Sequence, residues 1–115
     1  MILIGYPVSM AWVMMIYKIL FHPNAAHDVA GLDNRVRLLV LKQIKKLSLA
    51  PGLGKELGCK QGIDLSGYRK LYVDKKKIRI VYKIVDEQIL IQVIAVGKRK
   101  SLQVYKKAAK RIEKK

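Results

Sequence analysis

One cysteine, two histidines and eight acidic residues in 115 positions leave little room for several kinds of chemistry. Cys59, being alone, excludes an internal disulfide and a thiolate zinc cluster, and fits a reducing compartment. With only His22 and His27 to hand, a metal site would fall mostly to carboxylates, and the acids are scattered; neither metal nor cofactor is expected. Ser66 has no histidine that the sequence would pair with it, which argues against a serine triad. Gly52-Leu53-Gly54-Lys55 has the wrong spacing for a phosphate-cradling P-loop and no strand before it. Repeats and low-complexity linkers are also missing, so the chain reads as one domain.

Against the eight acids stand 24 Lys and Arg, a formal charge of +16. Residues 66–115 alone hold sixteen basic and four acidic residues, +12 of that total. The basic residues are interleaved with apolar ones in a chain that is 51% hydrophobic, so they belong to a folded surface and not to a solvated tail. Such a surface suits a polyanion, with nucleic acid, an anionic membrane or an acidic protein as the candidate partners. Binding to phosphate through it would weaken steeply with salt.

Residues 1–17 carry no charged side chain. Three readings stay open for them: a translation start at Met14 or Met15, an apolar appendage, or a membrane anchor. Gly5 and Pro7 interrupt the run and no Lys or Arg precedes it, so stable membrane association is not expected. The working domain is taken as residues 15–115, with 1–14 as an extension.

Beyond that point, Ile16–Phe21 reads as a strand and His22-Pro23-Asn24 as a turn. Ala25–Leu32 suits a short helix. Asp33 or Asn34 can cap a second, whose apolar positions are Val36, Leu39, Val40, Ile44 and Leu47. The glycine-rich stretch 52–67 reads as a loop. Strands are predicted at Tyr68–Val73, Lys77–Val85 and Gln88–Val96; the second alternates as if one face were well buried, and the third is apolar enough to be covered on both sides. Ser101 can cap a last helix with Leu102, Tyr105, Ala109 and Ile112 along one stripe. The expected fold is α+β, in the order β-α-α-β-β-β-α, with a small, mainly antiparallel sheet covered by a helical hairpin.

That order, with Leu65-Ser66-Gly67-Tyr68-Arg69-Lys70-Leu71, Ile78-Arg79-Ile80-Val81-Tyr82, Val96-Gly97-Lys98-Arg99 and Ala108-Ala109-Lys110-Arg111-Ile112, resembles the RelE/ParE superfamily of bacterial toxins over about residues 15–113. The resemblance implies the toxin half of a type II toxin–antitoxin pair in the cytoplasm. RelE-type members cut messenger RNA on the ribosome; ParE-type members poison DNA gyrase without being enzymes. Both are restrained by an antitoxin that wraps the toxin or displaces its last helix. Here that antitoxin is expected to be acidic and to cover Arg79 and Arg99. The RelE branch is the closer one: its strand arginine falls on Arg79, its second arginine on Arg99, its C-terminal tyrosine on Tyr105 and the first of its two strand lysines on Lys70. The second lysine, usually the general base, falls on Tyr72, a departure that leaves the base open.

Cleavage by the ribose 2′-OH requires removal of its proton, neutralisation of charge on the phosphoryl oxygens and protonation of the leaving oxygen. Arg79, with its planar fork, suits the scissile phosphate. Arg99 would stand on the leaving-group side, although an arginine after a turn glycine is often merely solvated. Tyr105 could stack on a base or position the 2′-OH, and it equally suits the core stripe of its helix. Lys70 could act electrostatically or as the base. Tyr72 could be the base only if neighbouring cations lowered its phenol pKa. Arg69, Lys75, Lys76, Lys77, Lys98 and Lys106 are the expected grips on RNA backbone, the three consecutive lysines doubling as a solvated turn.

Overall fold

The computed structural model describes residues 16–60, 62–98 and 103–113. The N-terminal extension, Arg99, the Ser101 cap and Leu102 lie outside these residues. No helix among the described residues is long and apolar enough to cross a membrane.

The chain enters through β1 (Lys18–Phe21) and turns straight into α1 (Pro23–Ala30). The helix begins two residues earlier than the sequence reading had it. Proline at the first helical position sacrifices no intrahelical bond, and the His22 ring caps the end, Nδ1 accepting from the Asn24 amide at 3.1 Å. Asp33 then caps α2 (Asn34–Leu49), its carboxylate accepting from the Val36 amide at 2.9 Å. The buried stripe of α2 is Val36, Val40, Ile44 and Leu47, as its spacing predicts.

Both helices cover one face of a five-stranded sheet, in which β1 is followed by β7 (Leu90–Lys98), β6 (Ile78–Val85), β5 (Arg69–Val73) and β2 (Lys55–Glu56). Gln88, expected in the last strand, sits instead in a 3-10 turn, Asp86–Gln88. β1 runs parallel to β7, and the other pairings are antiparallel. The main core lies between this face and the hairpin, with Val40, Leu47, Ile80, Tyr82, Ile91 and Val93 at its centre. On the other face α3 (Gln103–Glu113) lays Val104, Tyr105 and Ala108 over Val81, Ile94 and Ala95. That second layer is why β6 is buried on both faces from Ile78 to Tyr82, where alternation alone suggested one. A bulge helps: Val81 pairs with Ala95 but Tyr82 with Val93, so Ile94 is extra and joins Ala95 on the α3 side.

The stretch 52–67 is not simply a loop. Lys55–Glu56 forms β2, the edge partner of β5, and Cys59–Lys60 and Ile63–Asp64 pair as a small hairpin, β3 and β4. Two-residue strands are too short to show a period. What fixes them is tertiary: the Tyr82 hydroxyl donates to the Pro51 carbonyl at 2.8 Å and accepts from the Gly54 amide at 2.9 Å. A side chain at Gly54 would collide with the Lys70 carbonyl oxygen, so only glycine lets this backbone lie so close to β5.

Candidate nucleic-acid site

The hairpin of β5 and β6 carries the site. Tyr72 is the cross-strand partner of Arg79, and Lys70 that of Val81. The period of two therefore sets Lys70, Tyr72 and Arg79 together on the face that α3 covers. Lys70 Nζ donates to the Tyr72 hydroxyl at 3.0 Å. The Arg79 guanidinium lies 5.5 Å from the Tyr72 ring centre and 4.3 Å from that of Tyr105. It is only 7% exposed, and its Nε has no hydrogen-bond partner among the described residues. No carboxylate forms an ion pair with it among those residues. Two tyrosine rings and a hydrogen bond to the Tyr72 hydroxyl hold this cation, in place of a carboxylate.

The Tyr72 phenol is pushed down to about 8, chiefly by the hydrogen bond from Lys70, with Arg79 adding to it and burial opposing. Lys76 Nζ also stands over its ring, 6.0 Å from the centre. Tyr105 is placed differently from expectation. At 2% exposure, its ring lies against Arg79 and its hydroxyl is buried without a hydrogen-bond partner among the described residues, which leaves little of the ring open to a stacking base.

From Arg79 a groove of about 830 Å³ opens past Lys98 to Lys75, Lys76 and Lys77. The lysines ride on a turn with three consecutive left-handed residues, Asp74, Lys75 and Lys76, at φ 56°, 55° and 69°. Arg35, from the start of α2, holds the turn by a two-pronged bond to Asp74 at 3.2 and 3.1 Å. That bond, above all, keeps the Asp74 carboxyl below its ordinary range. On the other side of Lys70, Leu57, Cys59, Ile63, Leu65 and Tyr105 line a smaller pocket of about 180 Å³.

A family model described as the ParE toxin of the type II toxin–antitoxin system, parDE, matches residues 19–103. The chain belongs to the RelE/ParE family of type II toxins. A RelE-like toxin protein of Escherichia coli is 31% identical over 101 residues, covering 85% of this chain and 99% of the relative. The mRNA interferase toxin RelE of Escherichia coli K12 is 30% identical with the same coverage. Among solved structures, a double arginine-to-alanine variant of Escherichia coli RelE in the free state matches with a TM-score of 0.68 at 28% identity, over 85% of this chain and 99% of that one. The same variant in complex with a peptide of the antitoxin RelB matches with a TM-score of 0.63 at 26% identity, over 82% and 95%.

In this RelE/ParE toxin the hairpin brings together Lys70, Tyr72 and Arg79, with Tyr105 beneath and Lys75, Lys76, Lys77 and Lys98 along the groove. Arg69 is not among them. One residue from Lys70, it projects to the opposite face, where it donates to the Gly54 carbonyl at 2.8 Å and pairs with Glu56 at 3.4 Å. Strand alternation sends it to the face away from Lys70, where it clamps β2. Lys106 is exposed on α3 and does not line the groove. The reading of the sequence missed Arg35 and Asp74; they are 39 positions apart, and no local pattern signals their pairing.

Proposed function

We propose that this toxin is a messenger-RNA endoribonuclease of the RelE kind, acting with the ribosome in the cytoplasm and restrained by an acidic antitoxin. The observation that carries this reading is Arg79: a buried guanidinium, gripped by tyrosine rings and without an ion-pair partner among the described residues, at the head of a lysine-lined groove. A cation so placed is preorganised for a phosphoryl oxygen that gains charge as the bond breaks, and no reorganisation is required at that moment. Lys70 adds positive charge beside it, and Lys75, Lys76, Lys77 and Lys98 hold the neighbouring backbone phosphates. Arg99, next after Lys98 in the chain, serves the leaving-group side. The 30% identity to a protein named as an mRNA interferase supports the same chemistry.

Primer extension on messenger RNA after induction tests the proposal. Wild type should give cuts phased with the ribosome, and Arg79→Met, which keeps bulk and removes charge, should lose cutting by about a hundredfold or more. The ParE reading, inhibition of gyrase by a binding surface, is favoured by the name of the matching family model and by Tyr72 in place of a lysine. DNA damage without RNA cuts would decide for it.

A further inference from the structure

We propose that Tyr72 is the general base of this toxin, its phenolate taking the proton from the 2′-hydroxyl that attacks the phosphate held by Arg79. The inference rests on the endoribonuclease reading and supplies the group that reading lacks. A base must present a lone pair, and an arginine has none to offer. Lys70 Nζ, an ammonium with donors only, donates to the Tyr72 oxygen at 3.0 Å, a bond that favours the phenolate over the phenol.

The charges acting on this phenol come from several elements and share one sign. Lys70 lies on its own strand, Arg79 faces it from β6, and Lys76 reaches its ring from the turn. From α3 the group that approaches is Tyr105, stacked on Arg79. Glu56, the acid on the neighbouring edge strand, pairs with Arg69 at 3.4 Å and shares with Lys70 the lining of the smaller pocket. Cations stabilise phenolate over phenol, and Lys70 first, then Arg79, bring the group to about 8 against the opposing effect of burial. A base poised so near working pH combines a useful ionised fraction with real proton affinity.

The cross-strand pairing also fits the distance. Residues directly opposite on antiparallel strands hold their Cβ atoms about 5 Å apart. The Arg79 guanidinium lies 5.5 Å from the Tyr72 ring centre, close enough for the two side chains to meet neighbouring oxygens of one nucleotide. The O–H bond breaks as its proton passes to the Tyr72 oxygen, and the 2′-oxygen bonds to phosphorus. The bond from phosphorus to the 5′-oxygen breaks, and that oxygen takes a proton from water in the groove. The products are a 2′,3′-cyclic phosphate and a 5′-hydroxyl, and the phenol then returns its proton to solvent.

Two measurements test this. On the toxin alone, tyrosinate absorbance should reveal one phenol ionising near pH 8. That step should vanish in Tyr72→Phe, which keeps the ring and hence the stacking on Arg79, and move upward in Lys70→Met. In single-turnover cleavage of messenger RNA on programmed ribosomes, the wild-type rate should rise with pH and level off above about 8. Tyr72→Phe should fall by about a hundredfold or more and lose that rise. Tyr72→Lys should recover part of the rate with a different pH profile. Cleavage by Tyr72→Phe at the wild-type rate with the same profile would overturn the role of Tyr72 and leave the nuclease standing. No cleavage by wild type would overturn the nuclease reading and this role with it.

Discussion

At the scale of single residues, Tyr105 shows how support and chemistry separate. Its ring does two things the structure makes visible: it fills the layer between α3 and the sheet, and it faces the Arg79 guanidinium at 4.3 Å. Its hydroxyl does neither and is buried without a hydrogen-bond partner among the described residues. A buried, unsatisfied hydroxyl is a burden on the folded state, so removing it alone is harmless or helpful. Tyr105→Phe should leave thermal stability unchanged or raise it by up to about 1 kcal/mol, with cutting kept within a few-fold. Tyr105→Ala, by contrast, empties the layer and releases Arg79; it should cost about 3–5 kcal/mol in denaturant unfolding and abolish cutting. A large loss of cutting in the phenylalanine variant, with its melting point intact, would return the hydroxyl to the chemistry.

Among the elements, the lysine turn is where local rules are broken. Two lysines and an aspartate in the left-handed region are strained, by about 1 kcal/mol or more for each lysine, and the Arg35–Asp74 clamp, the Lys77 amide bond to the Asp74 carbonyl and the flanking ladder keep them there. Such strain is tolerated where it aims side chains, and here it aims three lysines along the groove. Lys76→Gly relieves one of the strained positions. It should raise stability by about 1 kcal/mol in chemical denaturation while weakening RNA binding, and a variant that loses both would refute the account of the turn. None of this was legible in Asp74-Lys75-Lys76-Lys77, which reads equally well as an ordinary solvated turn. What was legible followed from periodicity: the α2 stripe, the alternation that set Arg79 opposite the hairpin-facing residues, and the apolar run of β7. What was not legible depended on contacts far apart in sequence. Tyr82 fixes the course of residues 51–54, α3 covers the second face of β6, and Arg69 finds its partners in the Gly54 carbonyl and Glu56.

For the molecule as a whole, the sheet separates two apolar layers, and the cationic site lies at the edge of the thinner one, under α3. That helix is tied to the rest by Arg111, which bonds Asp28 of α1 at 2.8 Å and the Ile94 carbonyl at 2.7 Å, both side chains being about 10% exposed. Asp28 in turn accepts from the Val96 amide at 3.1 Å. One of the few acids is thus spent inside the fold, and Arg35 and Asp74 neutralise each other at the groove wall. Among the described residues, the cations that line the groove and are left to meet a polyanion are Lys75, Lys76, Lys77, Lys98 and Arg79. Each phosphate they neutralise on a single strand releases condensed counterion, giving a slope of log affinity against log salt of about −0.7 per contact. If all of them engage, short single-stranded RNA should bind with a slope of about −3.5. Lys75→Ala with Lys76→Ala should reduce it to about −2, whereas Lys106→Ala, altering an exposed lysine that does not line the groove, should leave it unchanged. A titration of fluorescent RNA across several salt concentrations measures all of these. A slope that falls as much for Lys106 as for the turn lysines would mean that affinity comes from the +16 charge spread over the surface, not from the groove.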